Sequence, residues 1–82
     1  MRIVDQPVEV TADRDGRPLA FTWRGRRHVI EEVLEAWKEL GEWWDQDPAE
    51  DRSVFRVQAG GCVYELDYRR PQGRWFLYCI FD

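Results

Sequence analysis

The chain has 82 residues, of which 15% are aromatic and 34% charged, and a net charge of −4. That length makes one domain, burying only about 60–65% of its unfolded surface, so five Trp, three Tyr and four Phe must supply much of the core at ~150–250 Å² each. The acidic balance disfavours a general polyanion binder; the opening MRIVDQPVEV has no apolar signal-type region, and no apolar run approaches membrane length.

These features predict a cytoplasmic protein with no membrane partner. Its two cysteines, Cys62 and Cys79, sit in the apolar runs GCVYEL and FLYCIFD and read as reduced, small core residues. With one distant His they make no zinc spacing, so no metal and no cofactor is expected.

Charge is blocked along the chain. Residues 1–30 carry six Arg against four acids, residues 31–51 nine acids against Lys38, and residues 52–82 five Arg against three acids. Two Arg-bearing ends therefore flank an acidic middle.

Met1–Thr11 reads as a strand with Val4, Val8 and Val10 as its apolar members, and Pro7 marks an edge or a bulge. Asp13-Arg14-Asp15-Gly16 is a turn. Leu19, Phe21 and Trp23 alternate against Ala20 and Thr22, which is strand periodicity, and Arg24-Gly25 reverses the chain as a tight hairpin.

His28–Leu40 carries two signals. Ile30, Val33, Leu34, Trp37 and Leu40 have helical spacing, with Glu31, Glu32, Glu35, Lys38 and Glu39 opposite and Gly41 as a stop. Yet no Ser, Thr, Asp or Asn stands between Arg24 and Glu31 to cap a helix, and the hairpin leaves no loop in which to turn. The other reading is one long bent strand from Arg26 toward Trp37, bulged near Glu31-Glu32.

After the Asp47-Pro48 turn signal, Ser53–Ala59 alternates as a strand, Gly60-Gly61 is a hairpin turn, and Cys62–Tyr68 places Cys62, Tyr64, Leu66 and Tyr68 on one face with Glu65 and Asp67 on the other. Arg69–Gly73 is a turn. Arg74–Phe81 is apolar at nearly every position, as in a strand covered on both faces.

The pattern Gly16-Arg17-Pro18, Phe21, Trp23, Gly25-Arg26, Ile30, Val33-Leu34, Trp37, Gly41, Trp43-Trp44, Phe55-Arg56-Val57, Tyr64-Glu65-Leu66, Gly73-Arg74-Trp75 and Phe81-Asp82 resembles a family of small bacterial proteins of unknown function. Its members look like proteins encoded beside, or fused to, Y-family translesion DNA polymerases. The resemblance covers most of the chain and implies a β-rich Trp37 region. The chain departs from it in having His28 where a Tyr is expected and in the Glu-rich stretch from Glu31 to Glu42.

The expected fold is mainly β, a small antiparallel sheet or barrel-like domain of five to six strands, spanning residues 1–82. The alternative is α+β with one helix near residues 30–40. No nucleophile, base or metal constellation is present, so the chain reads as a non-catalytic binding or adaptor domain and not an enzyme. Its first partner class is protein, through the adjacent Trp43 and Trp44, since Trp is over-represented in binding hot spots; the acidic surplus agrees. A link to DNA repair or translesion synthesis follows from the resemblance. The second class is nucleic acid, held by Arg24, Arg26 and Arg27 at one turn and Arg69, Arg70 and Arg74 at another, with Trp23 and Trp75 free to stack on bases. Spare aromatic surface leaves both monomer and homodimer open.

Overall fold

The computed structural model describes residues 1–39 and 51–81, all strand, turn or irregular, with no helix among them. Eight strands form: β1 (Arg2–Pro7), β2 (Glu9–Ala12), β3 (Pro18–Trp23), β4 (Arg26–Val29), β5 (Glu32–Glu39), β6 (Arg52–Ala59), β7 (Cys62–Arg69) and β8 (Arg74–Phe81). They make an antiparallel five-stranded sheet, ordered β1-β8-β7-β6-β5, and a three-stranded sheet, ordered β2-β3-β4.

Two bends connect the sheets. At the first, Pro7 lacks the N–H that would continue the ladder, and the Val8 N–H donates to the Trp75 carbonyl at 3.1 Å. At the second, the Ile30 N–H donates to Leu19 at 2.9 Å in the small sheet, and the very next N–H, Glu31, donates to Gln58 at 2.8 Å in the large one. Because β1–β2 and β4–β5 are each one chain bent between sheets, the eight stretches are six long strands. Each pairs with two neighbours, so the meander runs round on itself as a flattened barrel. The single predicted strand Met1–Thr11 is thus two strands in two sheets, and the predicted bent strand from Arg26 is β4 plus β5.

The α+β alternative fails at β5. Its register against β6 shifts between Val33 and Glu35, which makes Leu34 a bulge residue. A bulge lets residues three apart share a face. Val33 and Ala36 therefore face the same side, opposite Val57 and Phe55, and the residues whose spacing looked helical divide between the faces. Trp37 is on the other side, opposite Val54, and Leu34 is exposed. As an edge strand, β5 also gains from its Glu and Lys, which discourage pairing with foreign strands.

Tight turns follow local chemistry. Arg24 and Gly25 both take positive φ, 53° and 74°, as a two-residue turn matching the strand twist requires. In the β2–β3 turn, Asp13 Oδ1 accepts from the N–H groups of Asp15 and Arg17, both at 2.9 Å.

The core lies between the sheets. Phe21 from β3 meets Val57 and Ala59 of β6, Tyr64 and Leu66 of β7, and Leu77 and Ile80 of β8. Strand β8 is flanked by β1 and β7, and its register slips against Glu65/Leu66, making Tyr78 a second bulge residue. That slip puts Trp75, Leu77 and Ile80 on the core face and Phe76, Cys79 and Phe81 on the outer one, which explains an apolar residue at nearly every position. Cys79 and Cys62 are both free; they lie on opposite faces of the sheet and cannot bridge.

Leu66 is completely buried. Leu66→Ala is expected to cost about 2–5 kcal/mol, read as a lower midpoint in urea denaturation with the slope retained.

Candidate binding surfaces

The five-stranded sheet turns a second face away from the core, and register populates it with alternating charge. On β6, Arg52, Val54 and Arg56 point there; on β7, Glu65, Asp67 and Arg69; on β5, Glu35, Trp37 and Glu39. Since β6 and β7 pair without a slip, arginines come to lie beside carboxylates. Arg52 bonds Glu39 Oε2 from Nε at 2.7 Å and from Nη2 at 2.6 Å, and its Nη1 is 3.6 Å from Asp67 Oδ2. Arg69 donates from Nε to Asp67 Oδ1 at 2.8 Å and from Nη2 to Asp5 Oδ1 on β1. Asp5 reaches it from a left-handed backbone, φ 48°, which Asp tolerates better than most residues. A second chain runs Glu35–Arg56–Glu65, at 3.6 and 3.5 Å.

Aromatic rings fill the gaps. The Arg69 guanidinium carbon is 3.8 Å from the Phe76 ring centre, Arg52 is 5.6 Å from Tyr78, and Arg56 is 5.6 Å from Trp37 and 4.8 Å from Phe81. Exposed ion pairs such as those of Glu35, Glu39 and Asp5 stabilise little, but Glu65 is buried and Asp67 is 0% exposed. Burial outweighs the Arg69 and Arg52 guanidiniums and holds the Asp67 carboxyl above its ordinary 3.8. Glu39 goes the other way: the Trp37 indole N–H, 3.1 Å from Oε1, and then Arg52 pull it down against partial desolvation.

The predicted arginine turns come apart. Arg69 belongs to the outer-face network. Arg70 is bound by Asp51 through Nε and Nη2, and by the Ser53 hydroxyl through Nη1 at 2.7 Å. Arg24 lies 5.1 Å over its neighbour Trp23, and Arg26 is exposed at the start of β4. Arg27 and Arg74 line one groove of ≈ 510 Å³ with Trp75 between β2 and the β7–β8 turn; Arg74 is also opposite Arg69 across the strands and 5.8 Å from the Phe76 ring. Neither Arg27 nor Arg74 forms an ion pair among the described residues.

His28 lies in β4 facing the core, stacked on Phe21 at 4.9 Å and 5.5 Å from Tyr64, which is the kind of position a Tyr would fill. Its Nε2 has no hydrogen-bond partner among the described residues. Trp43 and Trp44, the predicted protein-binding pair, lie outside the described residues. Sequence reading missed Trp37, Arg52, Arg56 and Tyr78 as a surface. Its available signal was arginine at every fourth position of β6 against acids at every second position of β7, which becomes legible only once the two strands are in register.

The raised Asp67 carboxyl has a signed consequence. Between 3.8 and its folded value, the native state keeps a proton that the unfolded state has lost, so stability falls as pH rises through that window. Urea denaturation of wild type and Asp67→Asn across acidic pH should show the wild-type stability, relative to the variant, decreasing as pH rises. An increase would mean the guanidiniums dominate over burial.

No curated protein and no solved structure matches the chain. A family model does, across residues 1–82. The chain therefore belongs to the DUF6504 family, a domain of unknown function.

Proposed function

We propose that the domain is a non-catalytic adaptor that binds a partner protein through the outer face of its five-stranded sheet, and that this partner is a Y-family translesion DNA polymerase, which links the domain to DNA repair. One observation carries the reading. Three arginines of that face, Arg52, Arg56 and Arg69, are already paired with carboxylates on their own or neighbouring strands, among half-buried Trp37, Phe76, Tyr78 and Phe81, while Arg74 stands at the rim, 5.8 Å from the Phe76 ring. With Asp5, Glu35, Glu39, Glu65 and Asp67 opposing three guanidiniums, the face repels a polyanion. Trp, Tyr and Arg are the residue types that dominate protein hot spots, and prepaired charges need little reordering on binding. The choice of polymerase rests on the resemblance of the scattered aromatic and glycine pattern to proteins encoded beside such enzymes.

Calorimetric titration of the domain with the Y-family polymerase of the same organism, without DNA, tests it. Trp37→Ala and Tyr78→Ala should each weaken binding about 30-fold or more, as hot-spot truncations of ~2 kcal/mol do. Trp43→Ala and Trp44→Ala, tested separately, report whether the contact continues along the chain beyond Glu39. Absence of binding by wild type, or wild-type affinity in both sheet variants with intact melting, would overturn the proposal.

A further inference from the structure

On the core side of the large sheet, at the end away from Phe21, one cross-strand row runs Lys38, Ser53, Tyr68, Trp75 over β5, β6, β7 and β8. Phe55 stands in the next row. Above them the β2–β3 turn arches with Asp15 and Gly16, enclosing a cavity of ≈ 350 Å³. Three half-buried rings line it: Trp75 is 5.5 Å from Phe55, tilted 41°, and 5.4 Å from Tyr68, edge-on at 60°. No cation lies over any of these rings among the described residues.

The polar groups here are arranged and nearly neutral in sum. Asp51 holds the Arg70 charge, and Arg70 donates to Ser53 Oγ, which leaves the Ser53 hydroxyl proton to donate elsewhere. Lys38 and Asp15, of opposite charge, both line the cavity. Such a box suits a flat, uncharged ring with a hydrogen-bonding edge. It suits neither an ammonium, which needs surplus negative charge, nor an isolated phosphate.

Trp75 is also a wall of the adjoining groove, where Arg27 and Arg74 face Glu9. There the balance is positive, and both guanidiniums are exposed. An aromatic box and a guanidinium pair on two sides of one Trp match two parts of one ligand, a base and its phosphates. Paired bases in a duplex cannot enter such a box, whereas a single strand can splay a base into it.

We propose that Phe55, Tyr68 and Trp75 hold one unpaired nucleobase of a single-stranded nucleic acid whose neighbouring phosphates lie on Arg27 and Arg74. The ring box shares no residue with the outer face assigned to the protein partner; Arg74, 5.8 Å from the Phe76 ring, borders both, so Tyr68→Leu and Trp37→Ala let either reading fail alone.

The test is fluorescence anisotropy of a short labelled oligothymidylate with the full chain at low salt, alongside its duplex. The single strand should bind more tightly than the duplex. Combined Arg27→Ala and Arg74→Ala should weaken it at least about tenfold and lower the slope of log affinity against log salt by about 1.4, two contacts at ~0.7 each for a single strand. Tyr68→Leu should weaken it about 5-fold or more, for a lost stack of ~1–3 kcal/mol, and Arg2→Ala, outside both cavities, should not. If Tyr68→Leu fails to fold, amide-resolved NMR of wild type decides: shifts are expected at Ser53, Phe55, Tyr68 and Trp75 and at Arg27 and Arg74. No binding at low salt, equal binding of duplex, an unchanged double arginine variant, or shifts confined to the outer face would overturn the proposal.

Discussion

Consecutive backbone N–H groups at Ile30 and Glu31 donate to different sheets, and that division of hydrogen bonds is the constraint on which the rest of the molecule depends. It makes one long strand serve as the edge of both sheets. With the matching bend at Pro7 and Val8, it brings the two sheets face to face without a loop between them. A chain of this length cannot cover two separate sheets. Bending two strands lets one core, centred on Phe21, Leu66 and Leu77, serve both. A helix over the same residues would leave the β6 edge without the partner that Glu31 and β5 supply.

Bulges then decide what each face presents. In the large sheet Leu34 and Tyr78 are inserted residues, and each exchanges the inward and outward positions beyond it; β1 and β2 carry slips of their own. Without the Tyr78 slip, Ile80 would leave the core and Cys79 would enter it. Because β6 and β7 pair without a slip, Arg56 stands opposite Glu65 and Arg52 is diagonal to Asp67. The outer face is therefore a lattice in which Asp67, fully buried, is the least solvated charge. The guanidiniums compensate that burial only in part: Arg69 reaches Oδ1 at 2.8 Å, while Oδ2 has no hydrogen-bond partner among the described residues and Arg52 stands 3.6 Å from it.

Trp75 has a comparable position on the other side of the sheet. It closes the core's end, packs against Phe55 and Tyr68, and separates a neutral aromatic box from a basic groove. The molecule thus has two surfaces of different chemistry back to back. One is a plane of internally compensated charge, and the other pairs free guanidiniums with ring faces. A net charge of −4 averages over this separation and conceals it.

The amino-acid order alone determined the β periodicity of most of the chain, the tight turns at Arg24-Gly25 and Gly60-Gly61, and the alternation of Glu65 and Asp67 against Tyr64 and Leu66. These rest on short-range sterics and on the two-residue period of a strand, which are written locally. Tertiary structure alone decided the rest. It divided Met1–Thr11 between two sheets, turned the apparent helical spacing of Val33, Leu34 and Trp37 into a bulged edge, placed His28 in the core, and removed Arg69 and Arg70 from the predicted nucleic-acid site by giving them to Asp67, Asp5 and Asp51. Register and pairing join residues as far apart as Asp5 and Arg69, and no local pattern specifies which distant carboxylate an arginine will meet.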